Sequence, residues 1–144
     1  MDVGKALVNI LNADSSVTAL IGAGGSTTGI RCFPSAYRVP ATMTVPFMTY
    51  QVVSDTPNNT KNYKSLYDYV TVQINVYDTK YDDLQALVAL VRNALAYKSG
   101  TFNTVVVNKI FFEGGSDAYD ETFGDNGIYQ YTMDFQFNLN YTED

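Results

Sequence analysis

The stretch VTVQINVYDTKYDDLQALVALVRNAL, residues 70–95, contains the two patterns that decide the fold. Its first part alternates aliphatic and polar side chains, which is the period of a strand with one buried face. Its second part repeats aliphatic residues at i, i+3, i+4 and i+7, the period of an amphipathic helix. That stripe consists of Leu84, Leu87, Val88, Val91, Ala94 and Leu95. We expect a strand from Tyr63 to Tyr77 and a helix packed on its aliphatic face.

Turn chemistry predicts where this helix begins and ends. Thr79 to Asp82 has the spacing of a capping box, with aspartate in place of the usual glutamate. Gly100 is expected to end the helix, because glycine lowers helix stability.

Two shorter helical segments are predicted nearer the N-terminus. Apolar residues from Val3 to Leu11 recur at helical spacing, and Asp2 is placed to cap the first turn. Asp14 begins a second start signal, which is followed by apolar residues as far as Ile21. Residues 22–29 and 35–46, which are rich in glycine or proline, are expected to be loops.

The remaining elements are strands and the turns between them. A turn is expected at 55–59 and a glycine-rich acidic loop at 113–127, and the other strands are predicted at 30–33, 47–54, 104–112 and 128–141. The order predicts an α+β fold in a single domain, 1–144. It has a mainly antiparallel sheet of about five strands, with the long helix and the N-terminal helical segment packed on one face.

The composition excludes several classes of enzyme. The 144 residues include no histidine, so a Ser-His-Asp or Cys-His catalytic group cannot form. One cysteine, Cys32, cannot build a zinc cage, and we expect it to be a small buried core residue rather than a nucleophile. We therefore expect neither catalysis nor a cofactor.

The charge balance argues against tight binding of nucleic acid. Nine basic and fifteen acidic residues give a net charge of −6, whereas binding to a phosphate backbone usually needs a basic face. Lys61 and Lys64 are the nearest approach to a basic cluster. No stretch reaches the ~20 apolar residues that a bilayer needs, so no membrane association is expected.

Five carboxylates lie in the predicted acidic loop: Glu113, Asp117, Asp120, Glu121 and Asp125. We favour a solvated or interface loop. Calcium binding and acid–base catalysis on a sugar are the alternatives, because both use carboxylates. However, the spacing differs from that of a calcium loop, and nothing in the sequence places two of these carboxylates in a dry pocket.

Aromatic residues are abundant, with twelve tyrosines and eight phenylalanines. They could stack on nucleic-acid bases, although such sites normally carry basic charge as well. A core together with a protein interface, where tyrosine is enriched, is the favoured interpretation.

Several stretches in this order resemble the tail-terminator (tail-completion) family of tailed bacteriophages, over roughly residues 5–140. The two most specific are the strand and turn PFMTYQVVSDTP, which ends at Pro57, and VQINVY, which leads into the long helix. The others are LNADSSVTALIG, IRCFP and DAYDETFGDNGIYQYTMDFQFNLN.

This resemblance implies a structural virion protein that is assembled in the host cytoplasm and lies in the tail or neck. Members of the family form a ring, usually of six subunits, that caps the head-proximal end of the tail tube and stops its polymerisation. The implied partners are other copies of the chain, the tail tube protein and the head-completion (stopper) protein, with the tape measure protein as a further candidate. DNA would pass through the lumen without specific binding.

The docking surfaces are predicted at two acidic or polar loops, 55–64 and 113–127. The candidate interface residues are Asp55, Asn58, Asn59, Lys61, Lys64, Asp117, Asp120, Glu121 and Asp125. The last four acidic residues are also candidates for the lumen wall, where negative charge would repel DNA. Two alternatives stay open: a head-completion or neck connector protein, and a small carboxylate-using enzyme or ligand-binding domain.

Overall fold

A computed structural model describes residues 3–21, 31–34, 45–57, 67–121 and 127–140. Within these residues six strands form one sheet in the order β1-β2-β3-β6-β5-β4. The elements in chain order are α1 Val3–Ala13, α2 Ser15–Ile21, β1 Cys32–Pro34, β2 Phe47–Pro57, β3 Tyr67–Asp78, α3 Tyr81–Leu95, β4 Gly100–Phe102, β5 Val105–Asp120 and β6 Ile128–Asn140. The α+β class and the mainly antiparallel sheet are therefore confirmed. The described strands number six rather than about five, because the short β4 was not predicted.

The core lies between one face of the sheet and the helices. All six residues of the α3 stripe are buried, as are the aliphatic residues Val70, Val72, Ile74 and Val76 of β3. Alternate residues of β6 and the apolar side of α1 belong to the same cluster. Both helical segments therefore pack on one face, as the two periodicities predict.

The second helix begins where the sequence indicates. The Asp14 Oδ1 atom accepts hydrogen bonds from the backbone N–H groups of Ser16 and Val17, at 3.0 and 3.2 Å. These are two of the donors that a helix start leaves without partners, so Asp14 caps α2.

The predicted boundaries of α3 are wrong at both ends. Lys80, not Thr79, is the N-cap, and its side chain makes no capping bond. Asp78 accepts from the Lys80 N–H at 3.3 Å instead. The helix ends at Leu95, and Gly100 starts β4 with a φ of 140°.

Two segments predicted as turns or loops are strands. Asp55, Thr56 and Pro57 extend β2 and pair with β3, and residues 113–120 extend β5 along β6. Hydrogen bonding to a neighbouring strand therefore outweighs local turn propensity wherever that strand is long enough. The strand predicted at 30–33 is β1, which extends to Pro34 and pairs with β2 in parallel. The predicted loops at 22–29 and 35–44, and the Asp2 cap, lie outside the described residues.

Candidate docking surfaces at the two ends of the sheet

The predicted interface residues lie at opposite ends of the sheet. In β3, Asp68 is paired with Pro57, and Asp78 at the other end of the strand is paired with Tyr129. Asp55 lies near the first of these ends, and Asp117 and Asp120 lie near the second. At about 3.4 Å per residue, the length of β3 separates its two terminal regions by about 35 Å, whereas Asp55 and Asp117, which are level with Val70 and Val76, are about 20 Å apart. We call the two terminal regions the Asp55 end and the Asp117 end.

The Asp55 end consists of exposed strand. Every residue of β2 from position 51 to position 57 is exposed. The Asp55 side chain lies one diagonal step from Asp68 on the same face, since Asp55 is paired with Val70. Partial burial, together with the neighbouring Asp68 carboxylate, raises the pKa of Asp55. This end therefore brings two carboxylates close together.

The Asp117 end is held together by side-chain contacts. The Tyr81 hydroxyl donates a hydrogen bond of 2.7 Å to Asp117 Oδ2, and this bond raises the pKa of Tyr81. The Tyr129 ring packs against Tyr81, at 5.5 Å between centroids, and against Tyr119, at 4.8 Å. The start of α3 is thus tied to the far part of the β5–β6 hairpin.

Close backbone approach shapes the same end. Gly127 has a φ of 75°, in the left-handed region that favours glycine. A Cβ atom at this position would overlap the Tyr119 hydroxyl. Gly127 therefore lets the chain enter β6 directly beneath the tyrosine ring.

The other predicted interface residues divide into two groups. Asp120 is exposed and is paired with Ile128, and Glu121 is exposed in the turn that follows β5. Asn58, Asn59, Lys61, Lys64 and Asp125 lie outside the described residues.

A polar network on the sheet face away from the helices was not predicted. Asn75 Oδ1 accepts hydrogen bonds from Thr132 at 2.8 Å and from Gln130 at 3.0 Å. Asn75 Nδ2 in turn donates to the Thr49 hydroxyl at 3.4 Å. Thr49 and Asn75 are buried, so the network fixes β2, β3 and β6 relative to one another. The alternation of Asn and Thr in these strands was visible in the sequence, but their pairing depends on the register.

Cys32 is a buried core residue, as expected. It is a free cysteine in the helix-side cluster, and burial raises the pKa of its thiol to about 12. A thiol with such a pKa is protonated at neutral pH and reacts poorly.

Two cavities lined by described residues contain no pair of carboxylates. A cavity of about 330 Å³ is lined by Gly4, Lys5, Val8, Asn9, Asn12, Tyr50 and Asn103. A second, of about 180 Å³, contains one carboxylate, Asp14, which already caps α2. The residues that the structure describes include no cluster of three metal-ligating side chains. None of the helices in the described ranges is long and apolar enough to cross a bilayer.

Comparisons with known proteins agree with this architecture. The family described as "Tail completion protein gp17" matches residues 5–138. A chain of the solved structure "Virion of native gene transfer agent (GTA) particle" is similar with a TM-score of 0.71 and 14% sequence identity, over 94% of this chain and 92% of that chain. At this identity the likeness concerns the fold. No protein with a curated description matches. Because the family match spans most of the chain, the protein belongs to the tail completion protein gp17 family and is a structural protein of the virion tail.

Proposed function

We propose that this chain is a ring-forming tail terminator, which caps the head-proximal end of the tail tube and stops its polymerisation. The family match over residues 5–138 carries the proposal. The ring, with six subunits as the expected number, would also provide the surface to which the head is joined.

The separation of the two ends of the sheet supports this function. A cap between a tube and a head contacts two different partners, and it needs two surfaces that do not overlap. The Asp55 end and the Asp117 end are about 35 Å apart and belong to one continuous sheet. One end would dock on the tail tube protein and the other on the head-completion protein, with the tape measure protein as a further candidate partner.

The charge of the chain fits a conduit for DNA. The net charge is −6, and exposed carboxylates are present at both ends of the sheet. A lumen lined by such groups repels the phosphate backbone, so that DNA slides through without being held. Asp117, Asp120 and Glu121 are the described candidates for this wall.

The alternative with a different chemistry, a small carboxylate-using enzyme or ligand-binding domain, lacks support among the described residues. Asp117 is engaged by Tyr81 on the surface, and the cavities described above contain no pair of carboxylates. A head-completion or neck connector is the remaining alternative, and it differs from a terminator in its position in the virion.

Deletion of the gene tests the proposed function. We expect tails of abnormal length, or tails that do not join heads, when virions are examined by electron microscopy. Normal tails attached to heads would contradict the proposal. Labelling the chain in intact virions would separate a terminator, at the end of the tube, from a connector on the head side.

Charge reversal tests the docking surface at the Asp117 end. Asp120→Lys combined with Glu121→Lys should lower virion yield while the isolated chain keeps its circular dichroism spectrum. Ala89→Lys combined with Asn93→Lys is the control, since these residues lie on the exposed side of α3. An unchanged yield in the Asp120 and Glu121 variant would show that this surface does not dock.

A further inference from the structure

Two long strand edges in the sheet have no neighbouring strand among the described residues. β1 covers β2 only from Met48 to Tyr50, and β4 covers β5 only from Val105 to Val107. The edge of β2 at 51–57 and the edge of β5 at 111–118 therefore extend beyond their short neighbours. Such edges present backbone N–H and C=O groups that can pair with another chain.

The two edges lie at the same height on opposite sides of the sheet. Across the ladders, Gln51 is level with Gly114 through Gln73 and Asp134. Ser54 is likewise level with Phe111 through Thr71 and Gln136, so residues 51–54 lie level with residues 111–114. Three successive antiparallel pairings separate β2 from β5, so the two edges run in opposite directions.

Exposed apolar side chains mark both edges. On β2, Val52 and Val53 are 45% and 55% exposed, and on β5, Phe111 is 37% exposed. Tyr97, which is 71% exposed, packs edge-on against Phe111 with 6.0 Å between ring centroids. Adjacent exposed apolar side chains of this kind are typical of surfaces that bind another protein.

We propose that copies of this chain join edge to edge, with residues 51–54 of one copy pairing antiparallel with residues 111–114 of the next. This inference rests on the proposed ring. It identifies the subunit contact, which the family match does not specify. A second copy is the occupant because rotation about an axis along the strands brings these two level, oppositely directed edges together. The contact joins two different surfaces, so it repeats from copy to copy until the ring closes.

Engineered cysteines test the pairing directly. Val53→Cys and Phe111→Cys are prepared as separate full-length variants, mixed and mildly oxidised. Cys32 can remain, because its buried thiol is unreactive. We expect a disulfide-linked dimer in the mixture and no dimer of either variant alone, since each edge meets the other edge and not its own kind.

The variant with both cysteines in one chain should give a ladder of linked species up to the ring number. Val53→Cys combined with Leu20→Cys is the matched control, since Leu20 is 38% exposed on α2, and it should give no ladder. Dimers of one single variant alone, or a ladder as strong in the control, would overturn the inference.

A charge test does not depend on disulfide geometry. Val53→Lys or Phe111→Asp alone should reduce assembly of the chain, and combining the two should restore it, because the new charges would face each other across the contact. Leu20→Lys should leave assembly unchanged. If neither edge variant alters rings that the chain does form, the inference is wrong while the proposed function stands. If the disulfide ladder forms but tails are normal after gene deletion, the edge-to-edge contact stands and the proposed function is wrong.

Discussion

Aspartate side chains lie at both ends of the sheet, but their surroundings differ. At the Asp117 end a carboxylate accepts a hydrogen bond from Tyr81 and becomes part of a packed group of tyrosines. At the Asp55 end a carboxylate faces a second one, Asp68, at the edge of an exposed strand. The first end is preorganised by its own side chains, whereas at the second end two neighbouring carboxylates disfavour each other's charge.

This difference bears on the proposed contacts with two partners. A preorganised surface loses little conformational freedom on docking, and so it can bind without reorganisation. A surface with neighbouring carboxylates instead favours a partner that brings positive charge and disfavours further acidic chains. Under the proposed function, the two ends would therefore select their partners by different physical means.

The largest effect on stability is expected from a substitution in β6, because this strand connects the two ends and its loss of packing would destabilise both. Phe135 lies in the middle of β6, is fully buried, and packs against Phe112 with 5.3 Å between centroids. Phe135→Ala should lower the free energy of unfolding by about 3–5 kcal/mol, measured by urea denaturation. The neighbour Gln136→Ala, on the opposite face, is the control and should cost much less. An equal loss for the two variants would contradict the assigned faces of β6.

A backbone change should damage only the Asp117 end. Gly127→Ala places a Cβ atom against the Tyr119 hydroxyl and forces alanine into a left-handed conformation. We expect a loss of about 1–2 kcal/mol, together with faster amide hydrogen exchange in 115–120 and unchanged exchange in 51–57. Ser116→Ala, at an exposed position of β5, should change neither quantity. Faster exchange at both ends would show that they do not respond independently.

Removing the charge of Asp117 should lower the pKa of Tyr81 towards its ordinary value. Folding raises this pKa, so the contribution of the Tyr81 phenol to stability is complete below pH 10.0 and is lost as the pH rises through the folded value. Asp117→Asn should therefore lower the Tm slightly at neutral pH. The phenol titration can be followed by NMR of labelled tyrosine, with Tyr81→Phe to assign the signal, and an unchanged titration would contradict the hydrogen bond.

Asp55→Asn, the equivalent substitution at the Asp55 end, should change the Tm less than Asp117→Asn and in the opposite direction. Folding raises the pKa of Asp55, so its contribution to stability is present at pH values below the ordinary 3.8 and is lost as the pH rises through the folded value. Asp55→Asn should therefore raise the Tm slightly at pH 7. The gain should vanish in strong acid and shrink in high salt, because the group is exposed and screened. A lower Tm at pH 7 would contradict repulsion from Asp68.

The elements that were predicted correctly are those whose period is long and uniform. The stripe of α3 and the alternation in β3 each continue over enough residues to outweigh local exceptions, and their buried faces were predicted correctly. Gly114, Gly115 and Ser116, by contrast, favour a loop when they are considered alone. They form a strand because the long alternating β6 provides a partner along its whole length.

The sequence predicted which residues are candidates for docking, but not the contacts that these residues make. The contact between Tyr81 and Asp117 joins residues 36 apart in the sequence, and no local pattern indicates such a bond. The opposition of the Asp55 and Asp117 ends likewise follows from strand order and register, which place β6 between β3 and β5. Composition could exclude histidine-dependent chemistry, but it could not show which carboxylates have partners.

The central position of β6 also determines when the sheet can be completed during synthesis of the chain. This strand follows all other described strands along the chain, yet it pairs with β3 on one side and β5 on the other. During synthesis the two halves of the sheet must wait for residues 128–140 before they can join, and contacts between distant parts of the sequence form slowly. A nascent or truncated chain therefore lacks the continuous sheet that links the two ends.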